Sequence, residues 1–589
     1  MRNMAVTTPP VETKRERKTS DAYIGTLVGE STSQEFRLAV AAERMREQDI
    51  IAVDAELRRP DDETKREKIR VWAKVQRIER LNPLFPAEAG HELAATHTSP
   101  FETVLSLSRE MVSAVCRVLG AESLDSKTGR LEQLRYPAQP ASSAYRPMSE
   151  DVARILLGEM NPHRALDIAT LANRPEVDVL VDGHDIVSRH LAILAMTGAG
   201  KSWTARRIIE QLARKHYPIV IFDPHGDYTG LGEVEGLKGK VQRYYARFPI
   251  FEESAETVMG IVESIGRPLS PTQGEHFDAL FKGARRLIET DAGPSEERAR
   301  WLATYLANDN IQHYGLKLDL FSLADVVDAL VHAGKDQDTE VQAQLVDWCG
   351  GDGHLRLKKQ QSLWFSGLPG NLRRAAKRLR EMEEISKKVA GESQPLPLDR
   401  TELVGYDRIS VVALAGYSSE FQALIYSVVT EKIFSAKVAG NLRLPVLFLL
   451  EEAHNFAPAH AATPAENRAI TITRQIAQEG RKFRTGLMLI SQRPSRVDET
   501  TLSQCNSTII MRMVNPADQS YVRKTIESLG EDEVRMLPNL EVGEALLSGQ
   551  FTRLPVLVRI KQPESMGERE EQDAFEELEQ VARELHGAW

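Results

Sequence analysis

The chain has 589 residues, 42% of them hydrophobic and 27% charged, enough for about three to four domains with ordinary globular cores. No run approaches the roughly 18 unbroken apolar residues of a membrane span, and the first twenty residues lack the apolar stretch of a secretory signal. Three scattered cysteines, Cys116, Cys349 and Cys505, exclude a disulfide framework and a thiolate metal site, so a cytoplasmic protein without membrane association is expected. The net charge of −10 argues against a surface that coats itself with nucleic acid, although an acidic body can still hold a local basic channel.

In chain order, residues 1–20 read as a disordered basic arm. Residues 21–120 carry short alternating runs, AYIGTLVG, EFRLAVAA, DIIAVDAEL and IRVWAKVQRI, which predict a small N-terminal β-barrel closed by a helix around Phe101–Leu119. A linker over 121–150 contains Pro137, Pro140 and Pro147. Strand and helix then alternate. HLAILA, PIVIFD, RISVVAL, LPVLFLLE, GLMLIS and STIIMRM are nearly all apolar, as strands buried on both faces of a parallel sheet must be. The predicted fold is α/β, a mostly parallel P-loop core over 151–250 and 401–562, interrupted by a helical bundle over 251–400. Residues 563–589 form an acidic amphipathic segment expected to pack on a neighbouring surface. No internal repeat is visible.

Chemistry enters with AMTGAGKSWT, residues 195–204. A strand, a glycine-rich loop and a helix start together make a phosphate cradle from backbone N–H groups and a helix N-terminus. The stretch Thr197, Gly198, Ala199, Gly200, Lys201, Ser202 and Trp203 is assigned to nucleotide binding. Lys201 reaches the β- and γ-phosphates and Ser202 offers its hydroxyl to Mg²⁺. Ala195 stands where the pattern has its first glycine, which matters only if that position needs a positive φ.

Two further strand ends carry polar groups. LPVLFLLEEAHNF, residues 444–456, ends an apolar strand in adjacent carboxylates. Glu451 is assigned to the metal through its water shell and Glu452 to polarising the attacking water. Gln492, at the tip of GLMLIS, is placed to sense the γ-phosphate. RQIAQEGRKFRTG brings Arg474, Arg481 and Arg484, of which Arg481, then Arg484, is the candidate to complete a neighbouring subunit's site.

The stretches TGAGKS (197–202), IVIFDPHGDY (219–228), LFLLEEAHNF (447–456), EGRKFRTGLMLISQRPSRVD (479–498), LPNLEVGEALLSG (537–549) and LPVLVRI, in this order, resemble the HerA family of hexameric P-loop ATPases, in the HerA–FtsK class. The N-terminal barrel resembles the HerA–ATP synthase type. The resemblance implies a RecA-like core, a homohexameric ring, ATP and Mg²⁺ held between subunits, and double-stranded DNA in a central channel. Asp223, His225 and Asp227 match the family's DPHGEY stretch, with Asp in place of its Glu. His225 is read as a hydrogen-bonded loop histidine rather than a metal ligand.

Two functions follow from the resemblance. One is a DNA translocase or helicase working with a partner nuclease. Its DNA path could use Lys358, Lys359, Arg373, Arg374, Lys377, Arg378 and Arg380, if these are not simply a solvated helix face. Trp364 and Phe365 interrupt that run and are read as core rather than as base-stacking groups. The alternative is an ATPase scaffold of a bacterial antiphage defence complex, assembling a sirtuin-like NAD hydrolase or a nuclease as effector. The acidic exterior suits the second.

Overall fold

In the computed structural model of the chain, the described residues are 23–40, 45–59, 62–81, 111–124, 131–158, 160–290, 293–307, 319–550, 552, 554–565, 578–579 and 581–583. The predicted basic arm lies outside them, as does most of the acidic C-terminal segment. Two compact units result. One comprises residues up to 159 with 170–179 and 556–558, and the other holds the remainder.

The first unit is a closed barrel with strand order Tyr23–Ser31, Glu35–Val40, Met111–Ser123, Asp62–Leu81, Ile50–Arg59 and Ser143–Tyr145. Alternation puts Leu38, Val53, Val71, Ala73, Val75, Ala114 and Cys116 into one apolar core, as a half-buried pleated surface requires. Trp72 is fully buried and its indole N–H reaches Glu122 at 3.3 Å, while Glu122 is forked by Arg154 at 2.8 and 3.1 Å. That charge-assisted pair satisfies a carboxylate that would otherwise be costly inside. The helix expected around Phe101–Leu119 is corrected here. Residues 111–119 belong to the strand Met111–Ser123, antiparallel to both Glu35–Val40 and Asp62–Leu81, and 101–110 lie outside the described residues. Ser143–Tyr145, expected in a linker, is the strand that closes the barrel.

The second unit is built on strands ordered Gln394–Pro395, Val241–Tyr245, Ile409–Ala413, Ile219–Asp223, Val446–Leu450, Thr485–Ser491, Leu191–Leu194, Ser507–Met511 and Glu544–Gly549. Neighbours are parallel up to Ser507–Met511, which pairs antiparallel with Glu544–Gly549. The central strands are buried along their whole length, matching their unbroken apolar sequence. The fold is thus α/β with a mostly parallel sheet, as the sequence predicts.

Helices dominate from Ala255–Ile265 to Leu368–Ala390. Here the basic run divides. Arg373 bonds Asp325 and Asp328 at 2.8 and 2.7 Å, Arg380 bonds Asp319 at 2.7 Å, and Arg378 donates to the Ile265 carbonyl at 2.8 Å. Those three tie helices together. Lys358, Lys359, Arg374 and Lys377 face solvent. Phe365 is core, 1% exposed and edge-on to His276, whereas Trp364 is 48% exposed, against the expectation that it packs inside. Among the described residues no helix is long and apolar enough to cross a membrane.

Candidate nucleotide site

Parallel strands finish at the same edge of a sheet, which is where ligand sites of such folds assemble. The register makes this concrete. Ser491 lies opposite Leu194, Leu450 opposite Leu489, and Phe222 opposite Leu450. The phosphate loop after Leu194, Asp223, the Glu451–Glu452 pair and Gln492 therefore meet at one edge.

The loop is shaped by its glycines. Gly198 and Gly200 have φ of +78° and +107°, conformations that cost a side-chain-bearing residue free energy. Ala195 keeps a negative φ and is fully buried as the strand leaves the sheet, its N–H bonded to the Ser491 carbonyl at 3.2 Å. A methyl group is harmless there, so the missing first glycine does not alter the loop. Helix Lys201–Arg214 begins at Gly200, and the first N–H groups of such a helix have no acceptor within it. A cradle of free donors with open space over Gly198 fits a phosphate group.

Around this cradle the side chains divide into two sets. Lys201 Nζ lies 3.6 Å from Glu452 Oε1, both nearly buried, and the Thr197 hydroxyl bonds Gln492 Oε1. Glu452 has φ of +51°, an uncommon backbone state for a glutamate, and its Oε2 is buried without a hydrogen-bond partner, 3.3 Å from His454 Nδ1. Burial works against its ionisation, but His454 and Lys201 outweigh it and hold the Glu452 carboxyl below its ordinary range. Its neighbour differs. Glu451 is 1% exposed and its Oε2 accepts the Tyr228 hydroxyl at 2.7 Å. Burial first, then the negative charges of Asp227 and Glu452, push its pKa up to about 8 against the pull of Tyr228 and Lys201.

The loop after Ile219–Asp223 closes the site. Asp223 is buried and accepts the backbone N–H groups of His225, Gly226, Asp227 and Tyr228 at 2.8 to 3.3 Å, so it folds the loop; burial raises its pKa against these donors. His225 is an exposed member of that loop, and among the described residues no group of three or more His, Cys, Asp and Glu could hold a metal. The Ser202 hydroxyl points at Asp227 Oδ2, 3.3 Å away. Trp203 turns its indole N–H to the Lys561 carbonyl at 3.0 Å, a packing role on the helix. Sequence reasoning matched Asp227 to a pattern without giving it a task, and it missed Tyr228, Arg206 and His454. For two of them and Asp227 the signal was present: an acid and an aromatic close behind one strand end, a histidine four residues behind another.

Arg474, Arg481 and Arg484 do not join this cluster. Arg474 is committed to Asp498 at 2.6 and 3.1 Å. Arg481 and Arg484 are exposed just before the strand Thr485–Ser491, at its beginning, whereas the phosphate loop lies at its end.

A parallel, doubly covered sheet with a phosphate cradle, a lysine at its helix start and adjacent carboxylates at a neighbouring strand end defines a P-loop NTPase. Comparison with known proteins narrows this. Residues 166–433 match the family described as helicase HerA, central domain. The chain is 29% identical over 481 residues to the DNA double-strand break repair helicase HerA of Pyrococcus furiosus, covering 77% of this chain and 78% of that one. It is 27% identical over 505 residues to a probable helicase of Methanocaldococcus jannaschii, with 83% and 87% covered. VirB4 of Thermoanaerobacter pseudethanolicus aligns at 16% identity and a TM-score of 0.42, over 68% of this chain and 97% of that one, too distant to carry weight. Over most of its length the chain is similar to the HerA helicases.

Proposed function

We propose that the chain is an ATP-hydrolysing motor subunit that acts on double-stranded DNA, assembled as a homohexameric ring and paired with a partner nuclease. The observation that carries the hydrolytic part is the convergence of Lys201, Glu452, Thr197 and Gln492 around the phosphate cradle. Lys201 holds the β- and γ-phosphates, Glu452 orients and polarises the attacking water, and Gln492 reads the γ-phosphate position. Ser202 would help hold Mg²⁺, which would neutralise charge on the phosphates. Arg481 or Arg484 acts on the site of the next subunit. The DNA part is supported by the names of the relatives, helicases of double-strand break repair among them. The exposed Lys358, Lys359, Arg374 and Lys377 are candidate phosphate contacts.

The test is ATP hydrolysis by the purified chain with and without linear double-stranded DNA across a salt series. Strong stimulation that fades as salt rises is expected, because backbone contacts release counterions. Hydrolysis indifferent to DNA at every salt concentration would overturn the DNA motor and leave the ATPase scaffold of an effector complex.

A further inference from the structure

The nucleotide reading above assigns the cation to the phosphate loop, and the inference here rests on that reading while moving one of its ligands. The usual expectation gives the metal's water shell to the first acid after the Val446–Leu450 strand. Glu451 is badly placed for it: its side chain is sealed at 1% exposure and its Oε2 is already taken by Tyr228. Tyr228 is itself fully buried, so freeing that oxygen would strand a hydroxyl inside the core without its acceptor.

The Ser202 hydroxyl, the group that a P-loop turns toward the cation, donates instead to Asp227 Oδ2. Asp227 is held there on both sides. Its N–H is bound by Asp223 Oδ1 at 3.1 Å, and its carbonyl takes the guanidinium of Arg206, one turn along the same helix as Ser202. Its side chain is half-buried, so water can reach it.

We propose that Asp227, rather than Glu451, is the carboxylate that positions the divalent cation's water shell beside Ser202, and that the Glu451–Tyr228 pair is a buried strut holding the 223–228 loop. Mg²⁺ suits such a site, since it keeps most of its waters and needs only one or two carboxylates with phosphate oxygens.

The test is calorimetric titration of ADP into the full-length chain, once in EDTA and once in excess Mg²⁺, for the wild type, Asp227→Asn, Asp227→Glu and Glu451→Gln. Asp227→Asn should keep the metal-free ADP affinity, which also certifies its fold. It should lose about tenfold or more of the Mg²⁺-dependent gain, the scale of one hydrogen bond to a charged group. Asp227→Glu should restore most of that gain, and Glu451→Gln should retain it. The assignment is overturned if Asp227→Asn keeps the full gain, if it loses metal-free affinity by the same factor, or if Glu451→Gln alone abolishes the gain. A wild-type chain that binds no ADP in either buffer would sink the nucleotide reading itself, and this assignment with it.

Discussion

Glu452 carries the sharpest residue-level consequence. Its φ of +51° costs on the order of 1 kcal/mol or more, and the fold bears it where a strand end turns a carboxylate toward Lys201. Two adjacent glutamates thereby acquire opposite characters. Glu451 is pushed by burial toward the neutral form, with a pKa of about 8, while Glu452, although burial opposes it, is kept ionised by His454 and Lys201. Carboxyls whose environments drive their pKa values apart are suited to different tasks, and only the ionised one can polarise water as a base. Glu452→Gln should lower turnover by about 10²- to 10⁴-fold while leaving ATP affinity nearly intact, measured as kcat against a directly titrated Kd. Turnover within about tenfold of wild type would mean that another group activates the water. The sequence exposed both carboxylates, because the apolar run Val446–Leu450 leads up to them. It could not separate their roles, since the partner that seals Glu451 is Tyr228, 223 residues earlier.

At the scale of elements, the parallel strands were legible because burial on both faces leaves an unbroken apolar signature. The Met111–Ser123 strand was not. Its stretch MVSAVCRVLG mixes small and branched residues with no clean period, and only pairing with two long partners decides it. His190 shows a second kind of illegibility. In sequence it is a lone histidine before a strand; in the structure it is a buried joint between strand and helix. Its Nδ1 accepts the Leu487 N–H at 3.0 Å, so the proton sits on Nε2, which donates to the Ala477 carbonyl at 3.1 Å. Only the neutral ring satisfies both, and burial lowers its pKa from 6.5 to about 4. A histidine depressed in this way contributes stability that is complete above the unfolded value and is lost as pH falls through the folded one. Thermal unfolding should therefore show a destabilisation between pH 6.5 and about 4, on the order of 3 kcal/mol at its limit. The dependence should be shallower in His190→Gln, which has no titrating ring. Equal slopes in the two proteins would remove His190 from the account.

At the scale of the whole molecule, one chain does not reveal a ring, but it restricts what a ring must do. Thr485–Ser491 has seven residues and spans about 20 Å. Arg481 and Arg484 stand before its start and the phosphate loop beyond its end, so neither arginine reaches its own chain's nucleotide. If either serves hydrolysis, it serves another copy. Arg474, tied to Asp498, is the least available of the three. That geometry turns a resemblance into a quantitative expectation. On the proposed roles, in which Lys201 binds phosphate and Arg481 acts on the next subunit's site, Lys201→Ala and Arg481→Ala chains should each be nearly inactive alone. Co-expressed in equal amounts and randomly mixed, they create interfaces in which an intact lysine faces an intact arginine. These amount to about a quarter of all interfaces in a closed ring built from one heterologous contact. Turnover should recover toward that fraction, with mixed rings verified by native mass spectrometry. Recovery would require both that sites lie between subunits and that Arg481 acts in trans. Mixed rings without recovery would pass the role to Arg484, whose own pairing with Lys201→Ala decides it in the same way, and an Arg481→Ala chain that hydrolyses ATP at the wild-type rate would remove Arg481 from the reaction altogether.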